Sequence, residues 1–398
     1  MSEERWVETW VSTPQPTRPD QLPPPPFIRD CAAFVDSTLR QTVRASVGGP
    51  RVRLRFANTF GTAPLRLTAV SVALPRAGAA GVSAIVPGSA RQVTFHGGRS
   101  VTVPAGGEIE SDPLEFAVTA GANVTVTIHV ADGLPAAAVT SHPGSRTTSY
   151  LTRGDRVGDT DLSDAAAVDH WYFLSALRVA ARPNTSVLVA VGDSLTDGRG
   201  STTNHNDRWP DLLSDRLRAH PDTADVAVLN HGVGGSRLLD DGRGPGAVDR
   251  VVAGALARPA LRWLVLFKGV NDLGGAPATR AAQQRVAADL VAAYDRIVGR
   301  LREHGVRVYG GTLLPFGGHA DYDDPHGHRE AARQLVNEWV RGSGRFDEVL
   351  DFDRAVRDPV DPRRLAAGFD EGDHLHLNPA GDPALADAVP VHLFTRAG

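Results

Sequence analysis

The sequence predicts two parts, an all-β sandwich over residues 1–184 followed by a doubly wound, parallel-sheet α/β domain over residues 185–398. Three observations lead there. A chain of 398 residues is long for one core. Its first half alternates apolar and polar residues in short runs, and its second half replaces that period with almost continuous apolar runs set between amphipathic helical stretches.

The runs "VRLRFANTF", "LRLTAVSVAL", "RQVTFHG" and "NVTVTIHVADG" have period two and are separated by Gly, Pro and Asp turns, the pattern of antiparallel strands. Ahead of them "QLPPPPF" at 21–27 is expected to be extended, wrapping the surface or linking. The period changes at "RPNT", residues 182–185. Then come "SVLVAVG", "WPDLLSDRLRAH", "DVAVLN", "LRWLVLFKG", "QQRVAADLVAAYDRIVGRLREHG", "VRVYGG", "REAARQLVNEWVR" and "EVLDFD". Strands covered on both faces read this way, because neither face needs polar residues. In the longest helix Val286, Leu290, Val291, Tyr294, Ile297, Val298 and Leu301 share one face, and Gly305 stands where a helix would stop.

Composition narrows the function classes. Net charge is −4 without a block of like charges, which argues against nucleic acid or an anionic membrane as partner. The single cysteine, Cys31, excludes an intrachain disulfide. "MSEERWVETW" is not a basic region followed by an apolar one, and no run of 18 apolar residues occurs, so the expectation is a cytoplasmic protein, or a secreted one whose leader has been removed. Lys268 is the only lysine among 42 basic residues. Oligomeric state leaves no mark.

Open α/β sheets place their sites at the carboxyl ends of the strands. Four clusters fall there: "GDSLTDG" after the first run, "HGVGGS" after the second, "KGVND" after the third, and "DEGDHLHLN" near the end. Ser194 lies between strand and helix, where serine is commonly a helix N-cap but where backbone N–H groups also gather around negative charge. Gly235 lies in a tight turn or lets its N–H approach a ligand that a side chain would obstruct. "NHGVGG" is not a dinucleotide loop, since Arg237 occupies the place of the third glycine. Asn271 either bonds its own turn or offers an amide N–H₂ to an oxyanion. In the last cluster spacing leaves two pairings open, Asp370 with His374 and Asp373 with His376.

In order, "GDSLTDG", "NHGVGG", "GVND" and "DHLH" resemble the four blocks of the SGNH, or GDSL, hydrolase family, here Ser194, Gly235, Asn271 and His376. "DRWPDLL", "TLLPFGG" and "LDFDRAVRDP" are similar to an acetylxylan-esterase-like branch with an N-terminal β-sandwich. The resemblance implies a flavodoxin-like hydrolase domain behind a jelly-roll-like sandwich and a serine esterase without cofactor or metal. Its catalytic residues would be Ser194, Asp373 and His376. Its oxyanion hole would be the N–H groups of Ser194 and Gly235 with the Asn271 side chain. The implied partner is a small-molecule or carbohydrate ester carrying a short acyl group. His374 is then a neighbour, whose loss should hurt much less than that of His376. Three departures touch substrate more than chemistry: Lys268 where an acidic residue is expected, Leu377 where proline usually follows, and "GDPAL" in place of a glycine and aromatic pair.

Other chemistries fit less of the sequence. An acyltransferase would use the same groups with an alcohol as acceptor. A metal-dependent hydrolase would draw on His374, His376 and "HADYDDPHGH" at 319–328, but no H-E-x-x-H or cysteine pair supports zinc. A carbohydrate-binding protein with a vestigial site would use Trp6, Trp10 or Trp171 as a platform, residues that more commonly pack a core.

Overall fold

The computed structural model describes residues 5–240 and 247–395. The chain divides into two compact units, Met1–Asn184 with Thr202–Asn206, and Thr185–Ser201 with Asp207–Gly398. Among the described residues no helix is long and apolar enough to cross a membrane.

The first unit is built of antiparallel sheets of five, eight and three strands. Strand Gly49–Ala57 shows why its sequence folds so. Val52, Leu54 and Phe56 are buried while Arg51, Arg53 and Arg55 between them stay half-exposed, and the register sets Val52 opposite Val179 and Leu54 opposite Leu177. The largest sheet is centred on Ala32–Arg44 and Asn123–Pro135, paired from Asn123 opposite Arg44 to Pro135 opposite Ala32. "RQVTFHG" yields only the two-residue strand Arg91–Gln92, after which Val93 and Phe95 turn into the core.

Two expectations are corrected or decided in this unit. "QLPPPPF" is not extended throughout: the Phe27 N–H closes a turn on Pro24 O, and the buried Phe27 ring holds it inward. Trp10 and Trp171 are core residues packed edge to face with centroids 4.9 Å apart, and Trp6 lies under the Arg53 guanidinium at 4.8 Å, so none is an open platform.

The second unit is a five-stranded parallel sheet with strands β1 (Ser186–Gly192), β2 (Val226–Gly232), β3 (Leu261–Phe267), β4 (Arg307–Gly311) and β5 (Glu348–Leu350). Their order in the sheet is β2-β1-β3-β4-β5, a doubly wound order whose reversal lies beside β1. Every residue of β1 is buried, as the unbroken apolar run requires. Helices α1 (Ser194–Asp197), α2 (Trp209–Arg218), α3 (Ala247–Leu256), α4 (Val270–Gly275), α5 (Arg280–Arg302), α6 (His328–Gly342), α7 (Phe352–Val356) and α8 (Gly381–Asp387) connect and cover the strands. The buried face of α5 includes Leu290, Tyr294, Ile297, Val298 and Leu301, and Thr279 caps its start by accepting the Ala282 N–H. Trp209, Phe267 and Phe352 join α2, β3 and α7 in one core, with ring centroids 4.8 Å apart for Phe267 and Phe352.

The registers place the site. Gly192 is level with Gly232 on one side and Phe267 on the other. The segments leaving β1, β2 and β3 therefore begin side by side, and these are the segments that hold Ser194, Gly235 and Asn271.

Candidate active site

Ser194 is the first residue of α1 and not its cap; Asp193 caps the helix by accepting the Leu195 N–H. The buried Ser194 Oγ stands 2.7 Å from His376 Nε2, and His376 Nδ1 stands 2.7 Å from Asp373 Oδ2. A carboxylate can only accept, so Nδ1 carries the proton and Nε2 offers its lone pair to the serine hydroxyl. Asp373 also accepts the N–H groups of His376 at 2.8 Å and Leu375 at 3.0 Å through Oδ1, which fixes the carboxylate on the imidazole it orients.

Electrostatics follow from this wiring. Burial pushes the Asp373 carboxyl up, but the backbone and ring N–H groups of His376, its charge and the Leu375 N–H outweigh that and hold Asp373 well below the usual carboxylate range. For His376 burial wins: it lowers the imidazole below its ordinary value although Asp373 pulls the other way. Arg199 lowers it further, and the Arg199 guanidinium is 3.4 Å from Asp373 Oδ2 and 3.7 Å from the Glu371 carboxylate.

Gly235 lies in the turn closed by the Ser236 N–H on Val233 O, with φ of 69°. Among the described residues no heavy atom stands within 4 Å of the place a Cβ would take, and the left-handed backbone by itself calls for glycine. Asn271, in α4, is buried and doubly held: Nδ2 donates to Ser236 O at 3.1 Å and Oδ1 accepts from Tyr322 Oη at 2.7 Å. That assignment leaves one amide N–H for a ligand.

Beneath these segments lies a buried charge cluster. Lys268 donates to Gly192 O at 3.3 Å and to Ser236 Oγ, bridging the end of β1 and the turn after β2. Burial pushes Asp193 up to about 6 and raises Asp272 as well, and Lys268 opposes both shifts. Asp272 is tied down by the N–H groups of Leu238 and Leu239. The lysine that replaces an expected acid thus lies inside the protein, where it balances two carboxylates.

Both pairings that the spacing left open are formed. His374 Nδ1 is 2.6 Å from Asp370 Oδ2, beside the Asp373–His376 pair, and only His376 meets Ser194. Glu371, Asp373 and His376 bring three possible metal-ligand atoms within 4.8 Å of one another, but Asp373 and His376 are engaged with each other. In "HADYDDPHGH" the polar groups serve the loop itself: His319 Nδ1 accepts the Asp321 and Tyr322 N–H groups, and Asp324 accepts those of His326, His328 and Arg329. Sequence reasoning missed Arg199 and Tyr322. Arg199 follows the first block directly, which was a usable signal; Tyr322 had none beyond its place among the histidines.

Residues 190–382 match the model of the GDSL-like lipase/acylhydrolase family. This part of the chain belongs to that family. The GDSL-like domain is similar to solved structures of a G-D-S-L family protein from Desulfitobacterium hafniense DCB-2, at 17% identity, TM-score 0.38, covering 51% of this chain and 97% of that one. It is also similar to an aryl esterase from M. smegmatis, at 16% identity, TM-score 0.38, covering 51% and 96%. A catalytic mutant of an acetylxylan esterase from Geobacillus stearothermophilus follows at 17% identity, TM-score 0.38, covering 52% and 94%. Among curated proteins none matches the chain.

Proposed function

We propose that the GDSL-like domain is a serine esterase that removes short acyl groups from a carbohydrate or another small hydroxylated alcohol. One observation carries the reading, the relay from Ser194 Oγ through His376 to Asp373 with both links at 2.7 Å. Ser194 Oγ attacks the ester carbonyl as its proton passes to His376 Nε2, and His376 then returns that proton to the leaving alcohol. Asp373 keeps the imidazole in the tautomer that can accept, and stabilises it once it is charged. Water attacks the acyl-enzyme by the same route and frees the acid. The N–H groups of Ser194 and Gly235 with the spare N–H of Asn271 receive the oxyanion; each such donor contributes roughly 3 to 4 kcal/mol.

Preference for a small acyl group on carbohydrate rests on the resemblance of "DRWPDLL", "TLLPFGG" and "LDFDRAVRDP" to the acetylxylan-esterase-like branch. In this reading the chain is a two-domain esterase, with a β-sandwich of residues 1–184 ahead of the hydrolase domain of residues 185–398. Hydrolysis of p-nitrophenyl acetate and of acetylated sugars tests it. Ser194→Ala should lower kcat by roughly 10⁴-fold or more with an unchanged melting temperature. Retained turnover in that variant, abolished instead by a chelator, would replace the serine mechanism with a metal one.

A further inference from the structure

The segment after Phe369 builds the same device twice. Asp373 accepts the backbone N–H of His376 with Oδ1 and its ring Nδ1–H with Oδ2. Asp370 does the same for His374, taking the backbone N–H at 3.0 Å and the ring at 2.6 Å, with the Gly372 N–H as a further donor at 2.8 Å. Both imidazoles are thereby held in one tautomer with Nε2 as the free acceptor. The first ring is buried on Ser194, while the second has a side chain 44% exposed and no serine to serve.

Holding that second ring carries a backbone penalty. His374 sits at φ 64°, a conformation side chains other than glycine seldom take. The opposite wall gives way to it: Gly318 has φ 98°, and a Cβ there would come within 3.2 Å of His374 Cδ2. Next to Gly318 is His319, whose charge is felt by His376 and whose ring packs at a tilt against Tyr322, 4.8 Å between centroids. Tyr322 in turn donates to Asn271. The His374 ring thus belongs to the wall that runs from the proposed base to the proposed oxyanion donor.

We infer that the Asp370–His374 pair is a specificity-determining dyad whose Nε2 accepts a hydrogen bond from a second hydroxyl on the alcohol part of the ester. This rests on the serine-esterase reading and sharpens it to esters of diols and sugars. With its Nδ1–H on Asp370 and its Nε2 lone pair free, the pair carries the negative charge of the carboxylate, so it makes a poor anion site and a good acceptor for an uncharged hydroxyl. The ring is oriented without touching the nucleophile, which suits recognition better than proton transfer to the reacting ester.

Two acetates that differ by one hydroxyl test this, ethyl acetate and 2-hydroxyethyl acetate, with kcat/KM measured for the full chain and for His374→Ala and Asp370→Asn. The ratio of the hydroxylated ester to the plain one should fall by roughly fivefold to tenfold in His374→Ala, the loss of one hydrogen bond, and in the same direction in Asp370→Asn. A ratio unchanged in both variants, or an equal fall on both esters, overturns the inference; if one variant does not fold, the other decides. Ser194→Ala keeps the two readings apart. If it still hydrolyses both esters, the serine mechanism itself is wrong, whereas Ser194-dependent turnover with an unaltered ratio removes the dyad alone.

Discussion

Arg199 is the residue whose place in the site is least conventional, since it pairs with the carboxylate that orients the base. Half-exposed, it adds little stability, but its charge bears on His376. Catalysis by the proposed route needs the neutral imidazole, so activity is lost as pH falls through the His376 pKa, which burial and Arg199 hold below the ordinary histidine value. Arg199→Gln should move the acid limb of the kcat/KM profile to higher pH. A limb that stays put or moves lower would show that the guanidinium does not act through His376. The four block residues were legible only as an ordered set at the carboxyl edge of the sheet, because each alone also reads as a helix cap, a turn or one of two Asp–His pairings. Arg199 and Tyr322 were not, since their partners Asp373 and Asn271 are distant in sequence and only folding brings them close.

At the scale of elements, the periods marked the strands and helices well wherever one face or both faces are apolar. They failed where a polar group is buried with partners. The helix read in "REAARQLVNEWVR" is α6, yet the fully buried Arg333 sits on its inner face, held by Glu330 and Asp353 at 2.7 Å. No hydrophobic period signals that. Asp382 is a second case, where "GDPAL" departs from the family pattern. It lies in the first turn of α8 and accepts the Trp209 N–H of α2 at 2.9 Å, and among the described residues its Oδ2 has no hydrogen-bond partner. Burial pushes this carboxyl up to about 7, against the Trp209 N–H and with Asp207 and Asp211 adding to the rise. Between the ordinary carboxylate pKa and about 7 the folded state keeps a proton that the unfolded chain gives up, so stability declines as pH rises through that window. Asp382→Asn should shrink the drop in melting temperature between about pH 5 and about pH 8; an undiminished drop would assign the pH dependence elsewhere.

Across the whole molecule, a change of hydrophobic period is visible in a sequence, but the return of Thr202–Asn206 to the first unit is not, because polar turn residues carry no period. Asn204 secures that return. Its Oδ1 accepts the Thr148 N–H at 2.7 Å, its Nδ2 donates to Thr148 Oγ1 at 3.0 Å, and its φ of 69° is one asparagine tolerates. Asn204→Ala should destabilise the first unit by about 1 to 3 kcal/mol, read as a lower melting transition with the esterase assay as a separate control. Scarcity gives a different property to Lys268. As the only lysine in 398 residues, and 7% exposed, it is one amine that acylating reagents can find besides the chain's own amino terminus. The rate of its labelling, with the terminus as internal clock, therefore reports how often the floor of the site opens to solvent, in a protein that needs no engineered probe.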